Sequence, residues 1–574
     1  MSRPVRRAAA AVALLLVPVT ACASIPESSE PRAVRSIDEG NATQELKPLP
    51  KGIDALSLVR SFVDDSAKPA SDHEAARRHL TPQAAQEWSP TPGLLIVEDV
   101  DTIPVPQDMP LPEGVQLVSV QGDKVGRLQP DQSFVPESGP YRIEVRVERQ
   151  PDGEWRIAEP PPGLVAGRAA FAETYRQLPI YFLNHEGTGV VPDLRYVPAL
   201  PSSTLPRRVI DLLVTGPSEA FRDSLRSAIP PGVVPKTNTS ESPDGALEVN
   251  LSDLGDLTAE QRQQIAAQTV FSLQSVSSAR VRLKEEGRPL LDEAGDLRPS
   301  DVASFETEHQ VRADLPGMAV VNESLVLIDD SATPVPGAVG SGEYRVLQAG
   351  RSLDGEYLAA VTRRPGGVAL RVGEYGAQQL AELDVAGSFM TKPTWRTESE
   401  VWTVVDGSTV VRARKDGDRW VTERVEAPEL VGAGQIEDLR IAPGGTRLAA
   451  VVDGRILVAG IGERDDQLVV QHPTPLVPPE NVEITGLEWR GNDALVAITG
   501  SSSSPVYDVS VDGFEWTRYT ALNLGQRLTG VTVAQDGRVI VADSVGLWQT
   551  EEPDNVWAVV RVPIGGGSIP FFPG

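Results

Sequence analysis

The chain has 574 residues, a formal net charge of −27 and a single cysteine, Cys22. With 40% hydrophobic and 23% charged residues it has the composition of a globular protein, and its length predicts several domains. The acidic surplus disfavours binding to a phosphate backbone, so we expect no nucleic acid partner. One cysteine cannot form an intrachain disulfide, and the stability of the fold must therefore come from packed cores.

The start of the sequence has the pattern of a bacterial secretion signal. Three arginines precede residues 8–21, an uncharged stretch that is shorter than the about 20 residues of a membrane-spanning helix but typical of a signal peptide. The positions that follow its apolar core, Val19, Thr20, Ala21 and Cys22, resemble the lipobox of bacterial lipoproteins. That resemblance implies cleavage before Cys22, a diacylglycerol on its sulfur and an acyl chain such as palmitate on its new amino group. An ordinary signal peptide with a chance cysteine near the cut is the alternative.

A lipidated cysteine would hold the rest of the chain at the extracytoplasmic face of the cell membrane. Two or three acyl chains give stable anchoring, whereas a single chain binds only marginally. Residues 1–21 are therefore assigned to the signal peptide. Residues 22–51 are rich in Ser, Glu and Pro and poor in large apolar side chains, which predicts a flexible tether.

Residues 52–163 are predicted to form a small α+β domain. Apolar residues at helical spacing predict a first helix, and a second helix is predicted to be capped by Asp72 and broken at Pro82. Apolar and polar residues then alternate, and the Pro-Asp-Gly segment at 151–153 predicts a hairpin turn between two strands.

Residues 178–293 are predicted to form a two-layer α/β domain with the element order β-β-α-β-α-β. Thr258 and Gln261 have the spacing of a capping box at the start of the second helix. The segments PIYFLNHEGTGVVPDLRYVP and LEVNLSDLGDLTAEQRQQIAAQTVFSL, with Gly216-Pro217 between them, resemble the GerMN domain of spore germination and sporulation proteins. No catalytic residue follows from that resemblance.

Residues 314–574 repeat one phrase, in which an apolar strand, a tight turn and an Ala- or Val-rich strand follow one another. Equivalent turn residues are Asp354, Glu398, Gly444, Asn492 and Asp536, at spacings of 44, 46, 48 and 44 residues. This period predicts an all-β propeller of five to six blades, with a β-sandwich as the alternative. The incomplete copy AVVNESLVLID is predicted to form part of a sixth blade that strands from the end of the sequence complete.

No catalytic, cofactor-binding or metal-binding residue is predicted. Motifs for phosphate loops, EF-hands and hydrolase nucleophiles are missing, and the histidines are not spaced for a helical metal site. The histidines are His73, His79, His185, His309 and His472. Acidic pairs such as Asp64-Asp65 are interpreted as solvated turns. A hydrolase with carboxylates around the propeller channel is retained as an alternative.

The order of lipobox, tether, α+β domain, GerMN-like domain and propeller resembles the LpqB lipoprotein family of actinobacteria. The GerMN-like segment and the phrases PTWRTESEVWTVV and LRIAPGGTRLAAVV carry most of the resemblance. It implies a lipid anchor on the outer leaflet of the cytoplasmic membrane. It also implies contact with the extracytoplasmic domain of an MtrB-type sensor histidine kinase, which would make the protein a modulator of two-component signalling.

We therefore predict a non-enzymatic, membrane-anchored protein that acts in envelope signalling by protein contact. Arg363-Arg364, in a predicted turn of the propeller, is a candidate contact site, with a solvated turn as the alternative. A cell-wall-associated binding or scaffold protein, which holds a peptidoglycan fragment or an assembly partner through its GerMN-like domain, is the second interpretation.

Overall fold

The computed structural model describes residues 48–574 apart from 91–92, 107–108, 237–238, 292–294, 308–313 and 526. These residues form an N-terminal α+β domain, a middle α/β domain and a C-terminal all-β propeller. The predicted multidomain fold class is therefore confirmed.

Three helices and a mixed sheet make up the N-terminal domain. Its elements are α1 (Ala55–Ser66), α2 (Ala70–Arg77), α3 (Pro82–Glu87), β1 (Leu94–Pro104), β2 (Val115–Leu128), β3 (Phe134–Pro136), β4 (Pro140–Arg149), β5 (Trp155–Glu159) and β6 (Leu164–Gly167). The strand order is β5-β4-β2-β1-β6, β3 pairs with β2, and only β1 and β6 run parallel within this sheet. The apolar face of α1 packs into the same core as the inward side chains of the sheet.

Local signals explain where the helices of this domain begin. The Asp54 carboxylate caps α1 by accepting hydrogen bonds from the amides of Leu56 and Ser57 at 3.0 Å. The prediction that Asp72 caps the second helix is wrong, because α2 has no side-chain cap and Asp72 lies in a break of its helical backbone, where residues 71–73 have positive φ. The predicted break at Pro82 is confirmed, since α2 ends at Arg77 and Pro82 is the first residue of α3. Proline is tolerated in the first turn of a helix.

The middle domain follows the predicted order of its longer elements. They are α4 (Arg168–Thr174), β7 (Tyr175–Leu183), β8 (Val190–Pro198), α5 (Leu205–Thr215), β9 (Val234–Pro235), β10 (Ser240–Glu241), β11 (Ala246–Ser252), α6 (Ala259–Gln274), β12 (Arg280–Glu285) and β13 (Arg288–Pro289). β7 and β8 form a hairpin of their own, while β11 and β12 pair in parallel at the centre of a second sheet. The predicted capping box of α6 is confirmed, with Thr258 Oγ1 3.2 Å from the Gln261 amide and Gln261 Oε1 2.9 Å from the Thr258 amide.

Six sheets form the propeller. The first blade has three strands: β14 (Met318–Val321), β15 (Ser324–Leu327) and β36 (Ile569–Phe571). The next five blades have four strands each: β16 (Val346–Arg351), β17 (Tyr357–Arg364), β18 (Gly367–Glu374) and β19 (Ala381–Gly387); β20 (Thr394–Thr397), β21 (Glu400–Val405), β22 (Thr409–Asp416) and β23 (Arg419–Arg424); β24 (Ile436–Ile441), β25 (Arg447–Val452), β26 (Arg455–Arg464) and β27 (Gln467–Pro475); β28 (Ile484–Trp489), β29 (Ala494–Thr499), β30 (Val506–Ser510) and β31 (Trp516–Arg518); β32 (Gly530–Val533), β33 (Val539–Ala542), β34 (Leu547–Thr550) and β35 (Ala558–Val559).

Each predicted phrase is the first hairpin of one four-stranded blade. The innermost strands β16, β20, β24, β28, β32 and β36 contact one another in succession, and β36 also contacts β16, so that the ring is closed. The closure comes from pairing of β14 with β36, in which Met318 lies opposite Phe571. The prediction that the end of the sequence completes a sixth blade is therefore confirmed, and β36 pairs with the inner edge of β14.

Candidate functional site

The predicted lipidation site lies outside the described residues. Cys22 and its flanking residues Val19, Thr20 and Ala21 therefore stay a prediction. Within the described part of the chain, no helix has the length and apolar character needed to cross a membrane.

The described histidines do not form a metal site. In residues 48–574, outside the gaps given above, no group of three or more His, Cys, Asp or Glu side chains is placed to hold a metal ion; His309 falls in one of those gaps. The most buried histidine is His79, whose Nε2 lies 3.1 Å from Ser61 Oγ and 3.6 Å from Asp65 Oδ2. Burial lowers the pKa of His79 to about 4, so this ring is neutral near pH 7 and belongs to the packing of α1 and α2.

The interpretation of Asp64-Asp65 as a solvated turn is wrong for Asp65. This residue lies in the last turn of α1, is 5% exposed, and accepts hydrogen bonds from Lys68 at 2.7 Å and Arg78 at 2.9 Å. Asp65 is thus part of a structural ion network, because the helix continues through residues that the sequence pattern placed in a turn.

The candidate contact site Arg363-Arg364 lies at the end of β17 and already pairs with carboxylates of the first and second blades. Arg363 Nε is 3.3 Å from Glu323, and Arg364 Nη1 is 3.3 Å from Glu382. Both arginines remain partly exposed, and exposed pairs of this kind contribute only about 0–1 kcal/mol. Nothing in their geometry distinguishes them from other surface arginines as a contact site.

A buried ion network connects the inner strands of the third, fourth and fifth blades. Lys392 Nζ lies 2.8 Å from Glu488 Oε2, and Arg440 lies 3.6 Å from the same carboxylate and 2.7 Å from Asp438. Burial opposes ionisation of Glu488, but Lys392 and Arg440 outweigh it and lower the pKa of this carboxyl. The Trp489 indole donates to the Arg440 carbonyl at 3.1 Å and is fixed against the network.

Beside this network, at the mouth of the channel, lies a cavity of about 330 Å³. It opens on the face of the propeller that carries the first-hairpin turns. One wall is apolar and aromatic: Leu353, Trp395, Ile441, Pro443, Trp489 and Phe572. The other wall is polar: Glu488, Arg490, Asp493, Thr532 and Gln535. Convergent polar groups beside aromatic side chains in a cavity of this size are the usual composition of a small-ligand site.

A second cavity, of about 210 Å³, adjoins the first and shares Leu353 and Pro443 with it. It lies between the loop that joins β7 to β8, residues 184–189, and the first-hairpin turns of the third and fourth blades. Glu186 of that loop pairs with Arg396 of the propeller at 2.7 Å. The two cavities together form a continuous depression, which we call the channel-mouth groove.

The three domains are joined by a turn of the fifth blade. Phe514, between β30 and β31, is 3% exposed and belongs to the core of the N-terminal domain. Its ring meets Phe134 at 5.0 Å and both Phe171 and Tyr196 at 5.3 Å, in edge-to-face geometry. Because these partners come from the N-terminal and middle domains, one propeller side chain fastens all three lobes together.

The same joint contains a buried polar pair. The Tyr196 hydroxyl donates to Asp512 Oδ2 at 2.8 Å, and Arg168 donates to the Phe514 carbonyl at 2.7 Å. Burial raises the pKa of the Asp512 carboxyl, and it also raises the pKa of Tyr196 well above its usual value. A second contact area fixes the middle domain to the fourth blade, where the fully buried Arg447 donates to the Pro192 carbonyl at 2.8 Å.

Exposed large apolar side chains concentrate on the last blade. Leu522 is 62% exposed, Val545 71%, Val556 52% and Val559 55%. Two hydrogen bonds connect the loop of Leu522 to the segments that carry the other three residues. The Gly525 amide donates to Asp543, at the turn of Val545, at 2.9 Å. The Asn523 side chain donates to the carbonyl of Trp557, which lies between Val556 and Val559, at 3.0 Å. We call these four residues the last-blade surface.

Sequence reasoning did not identify the last-blade surface, the channel-mouth groove or Phe514. The available signal for Phe514 was the phrase VDGFEW, in which an Asp-Gly turn carries an aromatic residue at its tip. Nothing local could place the cavity walls together, because they come from five blades and from the segment that follows β36.

Comparison with known proteins gives two family models that match this chain. Residues 48–172 match the "Lipoprotein LpqB, N-terminal domain", and residues 321–573 match the "Lipoprotein LpqB beta-propeller domain". The resemblance of residues 178–293 to GerMN domains stays a prediction. A solved structure, the β-propeller domain of Myceliophteria thermophila Cps50 (Swd1), covers 37% of this chain and 70% of its own at 13% identity. Its TM-score of 0.28 is too low to support any argument.

Curated relatives align along nearly the whole chain. A protein of Rhodococcus jostii is 30% identical over 98% of this chain and 97% of its own, and one of Rhodococcus opacus is 31% identical over 99% and 98%. One of Mycobacterium tuberculosis is 28% identical over 96% and 97%. All three bear the name "Lipoprotein LpqB", which is not the name of an enzyme. With both terminal domains and the full-length alignment in agreement, the chain belongs to the LpqB lipoprotein family.

Proposed function

We propose that this protein is a lipid-anchored, extracytoplasmic lipoprotein that modulates two-component signalling by binding the ectodomain of an MtrB-type sensor histidine kinase. Membership of a family whose relatives are named lipoproteins supports the anchor, and the lipobox-like residues up to Cys22 supply its chemistry. The kinase partner enters through the family resemblance. The chain acts by contact and performs no reaction.

The observation that supports a protein partner is the last-blade surface. Its four exposed apolar side chains lie in segments that the hydrogen bonds of Gly525 and Asn523 hold next to one another, and one of them, Val559, belongs to β35, an outer strand of only two residues. Exposed apolar clusters rimmed by polar residues favour protein contact, since burying them on association removes apolar area from water. The rigid joint at Phe514 would hold this surface in a fixed position relative to the other two lobes.

Contact alone does not regulate a kinase. The lipoprotein shifts the equilibrium between two kinase states only if it binds one of them more tightly, and the shift is limited by that difference in affinity. We therefore expect unequal affinity for ectodomains locked by disulfides in the two signalling states. Equal affinity would exclude regulation by this route.

The surface is tested with a double substitution and a matched control. Leu522→Glu with Val545→Glu places two carboxylates on the last-blade surface, and Met109→Glu with Val234→Glu places two on exposed apolar positions of the other domains, 78% and 60% exposed. We expect the first pair to weaken binding of the full chain to the kinase ectodomain by about tenfold or more, which corresponds to about 1.4 kcal/mol. Equal affinities of the two variants would contradict the assignment of the surface.

The anchor is tested at Cys22. We expect Cys22→Ser to move the chain from the membrane fraction to the soluble fraction, because no acyl chain can then be attached. Ser24→Ala, two residues further on, is the matched control and should stay with the membrane. Retention of the Cys22→Ser chain in the membrane fraction would contradict lipid anchoring through this residue.

A further inference from the structure

The channel-mouth groove has the walls of a binding site for an extended, polar small molecule. Its two cavities meet at Leu353 and Pro443, so a ligand can run from the channel mouth to the loop of the middle domain. The ion network of Lys392, Glu488 and Arg440 lies buried beside its inner end. The groove is therefore a bounded depression, and its size suits a molecule of a few linked rings.

The charges that line the groove are largely neutralised within the protein. Glu488 is paired with Lys392 at 2.8 Å, Arg490 is bonded to Asp508, and Arg396 is shared between Glu186 at 2.7 Å and Glu400 at 2.8 Å. A charged ligand would have to displace one of these partners and leave it poorly solvated, which is costly. Glu398, on the outer rim, has no such partner but is exposed to water, so the enclosed part of the lining favours a ligand without net charge.

Hydrogen-bonding groups remain available at both ends. Gln535, on the polar wall of the inner cavity, and Glu398, on the rim of the outer cavity, have no hydrogen-bond or ion-pair partner within the described part of the chain. Between them and the channel, Phe572 offers a partly exposed ring, whereas the indoles of Trp395 and Trp489, which also line the cavity, are only 1% and 6% exposed. An aromatic ring and aliphatic side chains beside amide and carboxylate groups match a molecule with apolar C–H faces and hydroxyl edges.

From this combination we propose that the channel-mouth groove binds a short neutral oligosaccharide. Sugar rings present C–H faces to Phe572 and the aliphatic side chains beside it, and hydroxyl groups to Gln535, Glu398 and the carboxylates of the polar wall. A peptide with charged termini fits the lining less well, because the charges inside the groove are already paired and only Glu398, on the exposed rim, is not. The proposal concerns a surface separate from the last-blade surface and does not depend on a kinase partner.

The experiment titrates the full-length chain in detergent with neutral trisaccharides, namely triacetylchitotriose, cellotriose and maltotriose, and with trialanine, whose two termini are charged, as the peptide probe. Binding is followed by calorimetry and by tryptophan fluorescence, to which Trp395 and Trp489 contribute from the groove wall. We expect at least one trisaccharide to bind and the peptide not to bind. Binding of the peptide alone, or of none of the four probes, would overturn the proposal.

Two substitutions place the binding in the groove. Gln535→Trp puts a bulky ring in the inner cavity, and we expect it to weaken trisaccharide binding by about tenfold or more. Gln378→Trp, the same change at an exposed position of the second blade with no partner among the described residues, should stay within about twofold of the parent chain. Gln535→Ala keeps the cavity open and should weaken binding less than Gln535→Trp.

The outcomes separate this inference from the proposed function. Equal weakening by Gln535→Trp and Gln378→Trp would place the sugar elsewhere and overturn the assignment of the groove. Melting curves of each variant show whether it is folded, and Gln535→Ala serves if the tryptophan is not tolerated. Kinase-ectodomain binding, measured on the same variants, should be unaffected by Gln535→Trp, so either proposal can fail while the other stands.

Discussion

Removing the Phe514 ring should uncouple the three domains. The side chain is 3% exposed and makes three edge-to-face contacts with rings of the N-terminal and middle domains. Phe→Ala at a buried site costs about 3–5 kcal/mol through lost burial and the cavity that remains. Because Phe514 lies on a propeller turn, each domain keeps most of its own core. Most of the loss should therefore fall on the free energy that joins the domains.

Calorimetry of the full chain measures this coupling. We expect the parent chain to unfold with its domains coupled, and Phe514→Ala to separate an early transition of the N-terminal and middle domains from that of the propeller. Phe389→Ala, at a propeller phenylalanine that is 39% exposed, is the control and should change little. If both variants unfold as the parent chain does, the joint does not couple the domains and the reasoning is refuted.

Three further changes test the buried polar groups and a helix cap. Asp512→Asn should reduce the pH dependence of stability. Burial raises the pKa of Asp512, so the contribution of this carboxyl to the free energy of unfolding is present below the unfolded pKa and is lost as pH rises through the folded pKa. Unfolding midpoints measured from acid to neutral pH should therefore change less in the variant than in the parent chain. Lys392→Met should cost about 3–5 kcal/mol in denaturant unfolding, because Glu488 loses its closest partner and keeps only Arg440 at 3.6 Å; adding Glu488→Gln should recover part of the loss, and no recovery would contradict the pairing. Thr258→Ala should cost about 0.5–2 kcal/mol by removing the cap of α6, with a change below that range counting against the capping box.

The propeller could be predicted because its signals are local and repeated. Each first hairpin places a tight turn between two apolar strands, and the same phrase returns at turn residues such as Asp354 and Asp536. The closure by β36 also followed from the sequence, since a partial first blade needs a partner strand from elsewhere. The geometry of the hairpins, unlike that of the closure, depends only on residues that are close together in the sequence.

The errors arose where tertiary contacts outweigh local preference. Asp72 has the residue type of an N-cap, but it has positive φ in a break of α2, and its carboxylate pairs with Arg77 at 2.8 Å. Asp65 was placed in a turn because two adjacent carboxylates prefer water, whereas Lys68 and Arg78 stabilise it in the buried last turn of α1. Phe514 was missed for the same reason, because its partners lie more than 300 residues away along the chain.

The distribution of contacts between the domains bears on how such a protein could transmit a signal. The middle domain touches the propeller through Arg447 and the Glu186–Arg396 pair, and the N-terminal domain touches it through Phe514. These contacts lie on blades three to five. None of them involves the last blade, which carries the exposed apolar side chains. A partner on that blade and a ligand in the groove would thus bind at two separate sites of the same connected set of domains. Because coupling between sites is reciprocal, an oligosaccharide that tightened kinase binding would itself be bound more tightly in the kinase complex.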